Sequence, residues 1–154
     1  MGTLVEESLR KGVRAFSERD PEMAQSVIDN DDVIDQMEVD VEEDCLKILA
    51  LHQPVAIDLR FIISVLKINN DLERIADLAA NIAERALFLA TTHPIKTPDS
   101  IPEMAQLVQE MLKKSLDALV EMDATLALQV CASDDEVDDL HSEMYPFVQS
   151  KIES

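Results

Sequence analysis

The chain repeats itself. Displaced by 103 positions, its two ends align without a gap. Leu4-Val5 falls on Leu107-Val108, and Glu7, Leu9 and Lys11 fall on Glu110, Leu112 and Lys114. Ala15, Glu18 and Asp20 fall on Ala118, Glu121 and Asp123, and Ala24 and Val27 on Ala127 and Val130. Asp31, Asp32 and Asp35 fall on Asp134, Asp135 and Asp138, which makes thirteen identities between positions 4 and 37. Two unrelated amphipathic helices would agree at their apolar positions. They would not also share an Asp-Asp-x-x-Asp run with another Asp at a fixed distance before it. A chain made of repeated units must build each copy from the same elements.

Those elements read as helices. The sequence is 47% hydrophobic but only 3% aromatic, with two glycines and no tryptophan. Strands favour aromatic and β-branched residues, whereas Leu, Ala, Met and Ile suit helices. Leu4, Leu9, Val13 and Phe16 give helical spacing, so a first helix is expected over Thr3 to Ser17. Asp20-Pro21 supplies a cap and a proline suited to a first turn, opening a second helix that runs to Leu51. Gln53-Pro54 breaks the pattern. A third and longest helix is expected from Val55 to Ala90, then a Thr-, Pro- and Ser-rich linker. A fourth spans Ile101 to Met122, and a fifth starts near Asp123 and meets a kink signal at Pro146.

The fold class is therefore all-α. An up-down-up three-helix bundle occupies 1–92, a linker 93–100, and the first two helices of a second, repeated bundle 101–154. Ser154 aligns with Leu51, so the second copy has no counterpart of the third helix. A unit short of one helix leaves apolar stripes uncovered. A fragment of a longer protein, or cover from another copy in a homo-oligomer, is expected.

Charge narrows the function. Thirteen basic and 32 acidic residues leave a net charge of −19. Such a field repels nucleic-acid phosphates and anionic lipid, and favours cations and basic protein surfaces. Solubility alone accounts for it equally well. The two cysteines, Cys45 and Cys131, suggest neither a disulfide framework nor a metal pair, which fits a reducing cytoplasm. No apolar run approaches the ~20 residues that span a bilayer, and the start is too polar for a signal peptide. Attachment to a membrane protein stays open, peripheral at most.

The sharpest local signal lies on the third helix. Val65, Ile68, Leu72, Ile75, Ala79, Ile82, Ala86 and Leu89 form an apolar stripe at ~100° per residue. Asn70, Glu73, Asp77, Asn81 and Glu84 form a polar stripe nearly opposite. Glu73 and Asp77, four apart, are like-charged neighbours that a cation would relieve. Carboxylate oxygens suit magnesium, manganese, calcium or iron. In a hairpin turning at Gln53, Glu73 lies level with Val33 and Asp77 with Asp29. Asp31, Asp35, Glu38 and Glu42 make a facing stripe, so acids of two helices converge at one level. An open acidic face screened by solvent and salt is the competing reading.

Other residues offer less. His52 beside the proline turn, His93 in the linker and His141 on the fifth helix read as exposed or capping residues. No serine has a histidine base at motif spacing, and no glycine-rich phosphate loop occurs. Asp58 suits the positive end of the third helix. The methionines, Met122 among them, sit at helical spacing and suit a core or a groove lining. An enzyme is not expected.

The stretch Cys45 to Arg60, with Leu51-His52-Gln53-Pro54 at its centre, resembles the second turn of the PhoU family. Asp71-Leu72-Glu73-Arg74-Ile75-Ala76-Asp77, followed by Asn81-Ile82-Ala83-Glu84, resembles the family's Glu/Asp-x-x-x-Asp signature, with Ala76 where a glycine is usual. The resemblance covers essentially the whole chain. It implies tandem three-helix bundles, each with one signature, and here the second signature is missing. It also implies a cytoplasmic regulator of phosphate uptake, acting between a phosphate transporter and a sensor histidine kinase. Iron, zinc or another divalent metal is implied at the signature acids, with Glu73 and Asp77 as ligands and Asp31 and Asp35 as second-helix partners. An accessory domain of a larger membrane phosphate transporter and a general acidic metal-binding module are the alternatives.

Overall fold

The computed structural model describes residues 1–92, 98 and 100–152, with 151 and 152 by backbone alone. Among these residues are five helices and no strand: α1 (Gly2–Glu18), α2 (Pro21–His52), α3 (Ala56–Ala90), α4 (Ser100–Glu121) and α5 (Ala124–Ile152). They fall into two compact units, Met1–Thr92 and His93–Ser154. His93 and most of the expected linker lie outside the described residues.

The repeat is visible at the level of single atoms in the first turn of each unit. Arg19 and Met122, 103 positions apart, both take φ 55°, the left-handed conformation that closes a helix. The Asp20 N–H donates to the Ala15 carbonyl at 3.1 Å, and the Asp123 N–H to the Ala118 carbonyl at 2.9 Å. The Asp20 carboxylate accepts from the N–H groups of Glu22 and Met23, both at 3.0 Å. Asp123 does the same for Thr125 and Leu126 at 2.8 and 3.0 Å. Each aspartate satisfies two of the orphan donors of the helix it starts. Its identity in both copies is thus a capping requirement. Met122, expected among lining methionines, is instead 71% exposed because it stands at this left-handed turn.

In the first unit α3 is the central element, since α1 and α2 both pack on it. Gly12 of α1 lies so close to α3 that a Cβ there would stand 2.9 Å from the Ala79 carbonyl oxygen. Ala76, Ala79, Ala83 and Ala86 are each at most 1% exposed, a small-residue seam that lets the helices approach. Ala15, Ala24, Val27, Ala83 and Ala86 form the core near the α1–α2 turn, with Phe16, Met23, Ile28 and Leu87 around them. The expected stripe is too narrow. Leu72, Ala79 and Ala86 are buried as expected, but so are Asn69, Ala76 and Ala83. A helix with two partners buries two adjoining lines of residues, and one stripe describes only one partner.

Arg19 closes the far end of this bundle, donating to the carbonyls of Leu89 at 3.2 Å and Thr92 at 3.3 Å. Both carbonyls lie at the C-terminal end of α3, where a cation is favoured, and that of Leu89 also accepts from the Thr92 N–H at 3.2 Å.

In the second unit α4 and α5 pack together, burying Leu112, Ala118 and Val130. Val120 and Leu128 are left 82% and 71% exposed, which fits a two-helix unit. α5 contains Pro146 within its span and continues to Ile152. Proline lacks the N–H that would complete one helical hydrogen bond, and the helix carries that loss without ending. Both cysteines are free, Cys45 buried and Cys131 exposed, and burial pushes the Cys45 thiol above its ordinary value.

Candidate metal centre

The α2–α3 hairpin sets the register of its acids. Gln53 takes φ 45° at the helix end, and its N–H donates to the Leu49 carbonyl. From that turn α2 and α3 run antiparallel. The register is read from Asn69, 4% exposed, which donates to the Glu38 carbonyl at 2.9 Å. Asn69 is sixteen residues after Gln53 and Glu38 fifteen before it. This is within one residue of the symmetric hairpin expected about Gln53. Asp29 accepts a hydrogen bond from Gln25 on its own helix at 2.8 Å.

Asp77 meets Asp31 and Asp35. Each offers a carboxylate oxygen, and the three atoms lie within 4.8 Å of one another. Asp31 is half-buried, while Asp35 and Asp77 are exposed. Asp31 and Asp35 are one turn apart on α2, and Asp77 faces them from α3. Glu73, one turn nearer the hairpin apex, stands outside this trio. It nevertheless shares the trio's electrostatic environment.

Two carboxyl groups report that environment. The Asp31 carboxyl titrates above the usual carboxylate range, first because it is partly desolvated, then because Asp35, Asp77, Asp32 and Glu84 repel its charge. Desolvation also raises Glu73, followed by repulsion from Asp77, Glu38, Asp35 and Asp31. Six acids of α2 and α3 (Asp31, Asp32, Asp35, Glu38, Asp77 and Glu84) thus appear among the repelling neighbours. Like charges gathered this closely favour either protonation or a bound cation.

The donor set fits a divalent ion. Oxygens around one such ion lie about 2.0–2.6 Å from it, so they stand about 3–5 Å apart. Three carboxylates within that span, two of them open to solvent, can close on an ion by rotating their side chains. All-oxygen donors suit magnesium, manganese, calcium or iron better than a soft-ligand zinc site. A bound ion would neutralise the mutual repulsion and tie α2 to α3.

Sequence reasoning named Asp31, Asp35, Asp77 and Glu73, and the structure brings the first three together. It missed the neighbours Glu38 and Glu84 as electrostatic partners of specific residues, although both belong to the acidic stripes. His52 ends α2 and is exposed; His141 is exposed and packs edge-on against Tyr145 with ring centres 5.6 Å apart. His52 stands at the hairpin end of α2, several turns along the helix from Asp31 and Asp35, and His93 lies outside the described residues. Asp58 stands in the first turn of α3, as expected for a helix start.

The comparisons agree with one another. The family model described as "PhoU domain" matches residues 1–86 and 101–153. The phosphate-specific transport system accessory protein PhoU homolog of Aquifex aeolicus (strain VF5) is 42% identical over 144 residues, which is 94% of this chain and 65% of that protein. The protein of the same name from Pseudomonas aeruginosa is 43% identical over 141 residues, 90% of this chain and 57% of that one. The chain therefore spans somewhat under two thirds of the length of these curated relatives. The crystal structure of PhoU from Pseudomonas aeruginosa superposes with a TM-score of 0.95 at 38% identity, covering all of this chain and 75% of that one. The regulatory protein PhoU of the phosphate transport system from Streptococcus pneumoniae gives 0.85 at 32% identity, over 92% and 67%.

Proposed function

Because the chain belongs to the PhoU family, we propose that it is a regulator of phosphate uptake that works by protein contact rather than by catalysis. Its partners on this reading are a phosphate transporter and a sensor histidine kinase, met at the cytoplasmic side of the membrane. The printed names of the relatives support the transport role, since they are accessory proteins of phosphate-specific transport systems. No described helix is long and apolar enough to cross a membrane, which fits a protein that meets its transporter from outside the bilayer.

The observation that carries the site is the meeting of Asp31, Asp35 and Asp77 across the α2–α3 hairpin. On this reading the trio holds a divalent metal, with Glu73 adding to the negative field around it. The ion would act as a clamp between two helices and would remove two negative charges from the acidic face, a change that a protein partner can sense. No bond-breaking step is assigned to it.

The test is elemental analysis of protein purified without chelator or affinity metal, for the wild type and for Asp31→Asn with Asp77→Asn. Stoichiometric metal that the double variant loses supports the clamp. Equal, trace metal in both removes it. Co-purification of the wild type with the transporter's ATPase subunit or with the kinase tests the regulatory role separately. Binding to neither removes that role whatever the metal content.

A further inference from the structure

Outside α3, every described basic side chain except Arg10 is engaged. Lys11, Arg14, Lys47, Lys113 and Lys114 each form an ion pair with an acid on their own helix. Arg19 is held by main-chain carbonyls. The cations of α3 differ. Arg60, Lys67, Arg74 and Arg85 are all exposed, and none of them has an ion pair among the described residues.

These four share one face. Arg60, Lys67 and Arg74 follow one another at steps of seven, and Asp71, Leu78 and Arg85 do the same on the adjoining line. Seven residues are nearly two turns, so both lines run along one side of α3. That side points outward. Asp77 meets Asp31 and Asp35 of α2, and Ala79 lies against Gly12 of α1. Leu78, between them in sequence, points about 100° away from each. It is 55% exposed, and Phe88, fourteen residues after Arg74, is 64% exposed on the same side. Charged residues hold most of this face, which marks it as one that stands in water, since each charge would need a partner if buried.

Shape and charge select the occupant. Four cations against Asp71 leave the face at +3 in a chain of −19. It runs about 37 Å from Arg60 to Arg85 at 1.5 Å per residue. Steps of seven are the spacing at which a second helix lies along a first, with apolar contacts on the seam and charges beside it. Leu78 and Phe88 supply apolar anchors, and the cations call for carboxylates. A flat anionic membrane fits less well, because its headgroups would also meet the acidic flank at Asp77 and Glu84. A single helix is narrow enough to meet the stripe alone.

We propose that the outward face of α3 binds an acidic amphipathic helix of a partner protein, on the reading that the chain regulates by protein contact. Arg60, Lys67, Arg74 and Arg85 pair with its carboxylates, and Leu78 and Phe88 pack on its apolar line. The net field of the chain repels an acidic helix elsewhere, so the stripe also fixes where the helix lands.

The probe is a synthetic peptide of roughly four heptads, with Leu on the seam and Glu beside it, whose like charges keep it from pairing with itself at neutral pH. Fluorescence anisotropy of the labelled peptide is followed against about 1 to 100 μM protein, the range of weak interfaces. The wild type should bind. Arg74→Glu with Arg85→Glu should weaken binding about tenfold or more, with unchanged helical circular dichroism. The neutral pair Arg74→Gln with Arg85→Gln should weaken it in the same direction, and Arg10→Glu on α1 should leave it as it is. A wild type that ignores the peptide overturns the proposal, as does equal binding by the stripe variants or equal binding of a peptide with Gln for each Glu. Co-sedimentation with phosphatidylglycerol vesicles in place of peptide binding gives the stripe to a membrane and overturns it too. Co-purification separates this surface from the regulatory role. Stripe variants that still co-purify with the transporter's ATPase subunit or with the kinase, as the wild type does, overturn the surface and leave the role standing.

Discussion

Asn69 of α3 is buried and donates its side-chain amide to the Glu38 carbonyl of α2 at 2.9 Å. A polar side chain in this position holds one register of the hairpin, because a slip along either helix would leave the amide buried without a partner. Replacing it should reveal how much the register depends on it. Asn69→Leu loses one hydrogen bond and should cost about 1 kcal/mol. Asn69→Asp keeps the shape but removes the donor and buries a charge, so it should cost more. Urea denaturation of the two variants checks this order. An Asp variant as stable as the Leu variant would show that the amide is dispensable.

The acidic cluster predicts a pH dependence of definite sign. The Asp31 and Glu73 carboxyls titrate above their ordinary values in the folded chain. The folded state therefore holds these protons to higher pH than the unfolded state does. Stability from this source falls as pH rises through the ordinary carboxylate range into the raised range, and is restored below it. Asp31→Asn removes the penalty. It should unfold at higher denaturant than the wild type at pH 7 without metal, and the difference should vanish below about pH 3, where Asp31 is protonated in both states. A wild type that gains stability between pH 4 and 7 relative to Asp31→Asn would reverse the sign and remove the argument.

Gly12 gives a prediction against helix propensity. Alanine is better than glycine inside a helix by about 1 kcal/mol. Here, however, the added Cβ would stand 2.9 Å from the Ala79 carbonyl oxygen, a main-chain atom that cannot rotate away. One helix must shift, and overpacking of this kind costs about 1–3 kcal/mol. Gly12→Ala should therefore lower the thermal midpoint rather than raise it. A stabilised variant would mean that α1 moves freely on α3.

Much of this molecule was legible in its residues, and the parts that were not share a cause. Helix ends were read within a residue or two because their signals are local: Asp20-Pro21 caps α2 and Gln53-Pro54 ends it. The repeat was legible because thirteen identities, Asp20 with Asp123 among them, recur at a spacing of 103. The acids Asp31, Asp35 and Asp77 were named from two stripes on two helices. Buried Asn69, Ala76 and Ala83 escaped the apolar stripe, since α3 has two partners and a helical wheel carries one.

The sequence by itself determined five helices, their caps, the duplication and the acidic faces, because each rests on residues within a few turns of one another. Only the tertiary structure decided that Asp31, Asp35 and Asp77 meet within 4.8 Å while Glu73 stands aside. That outcome depends on how α2 and α3 are set against each other. The bond from Asn69 to Glu38 marks that register, and it joins residues 31 positions apart.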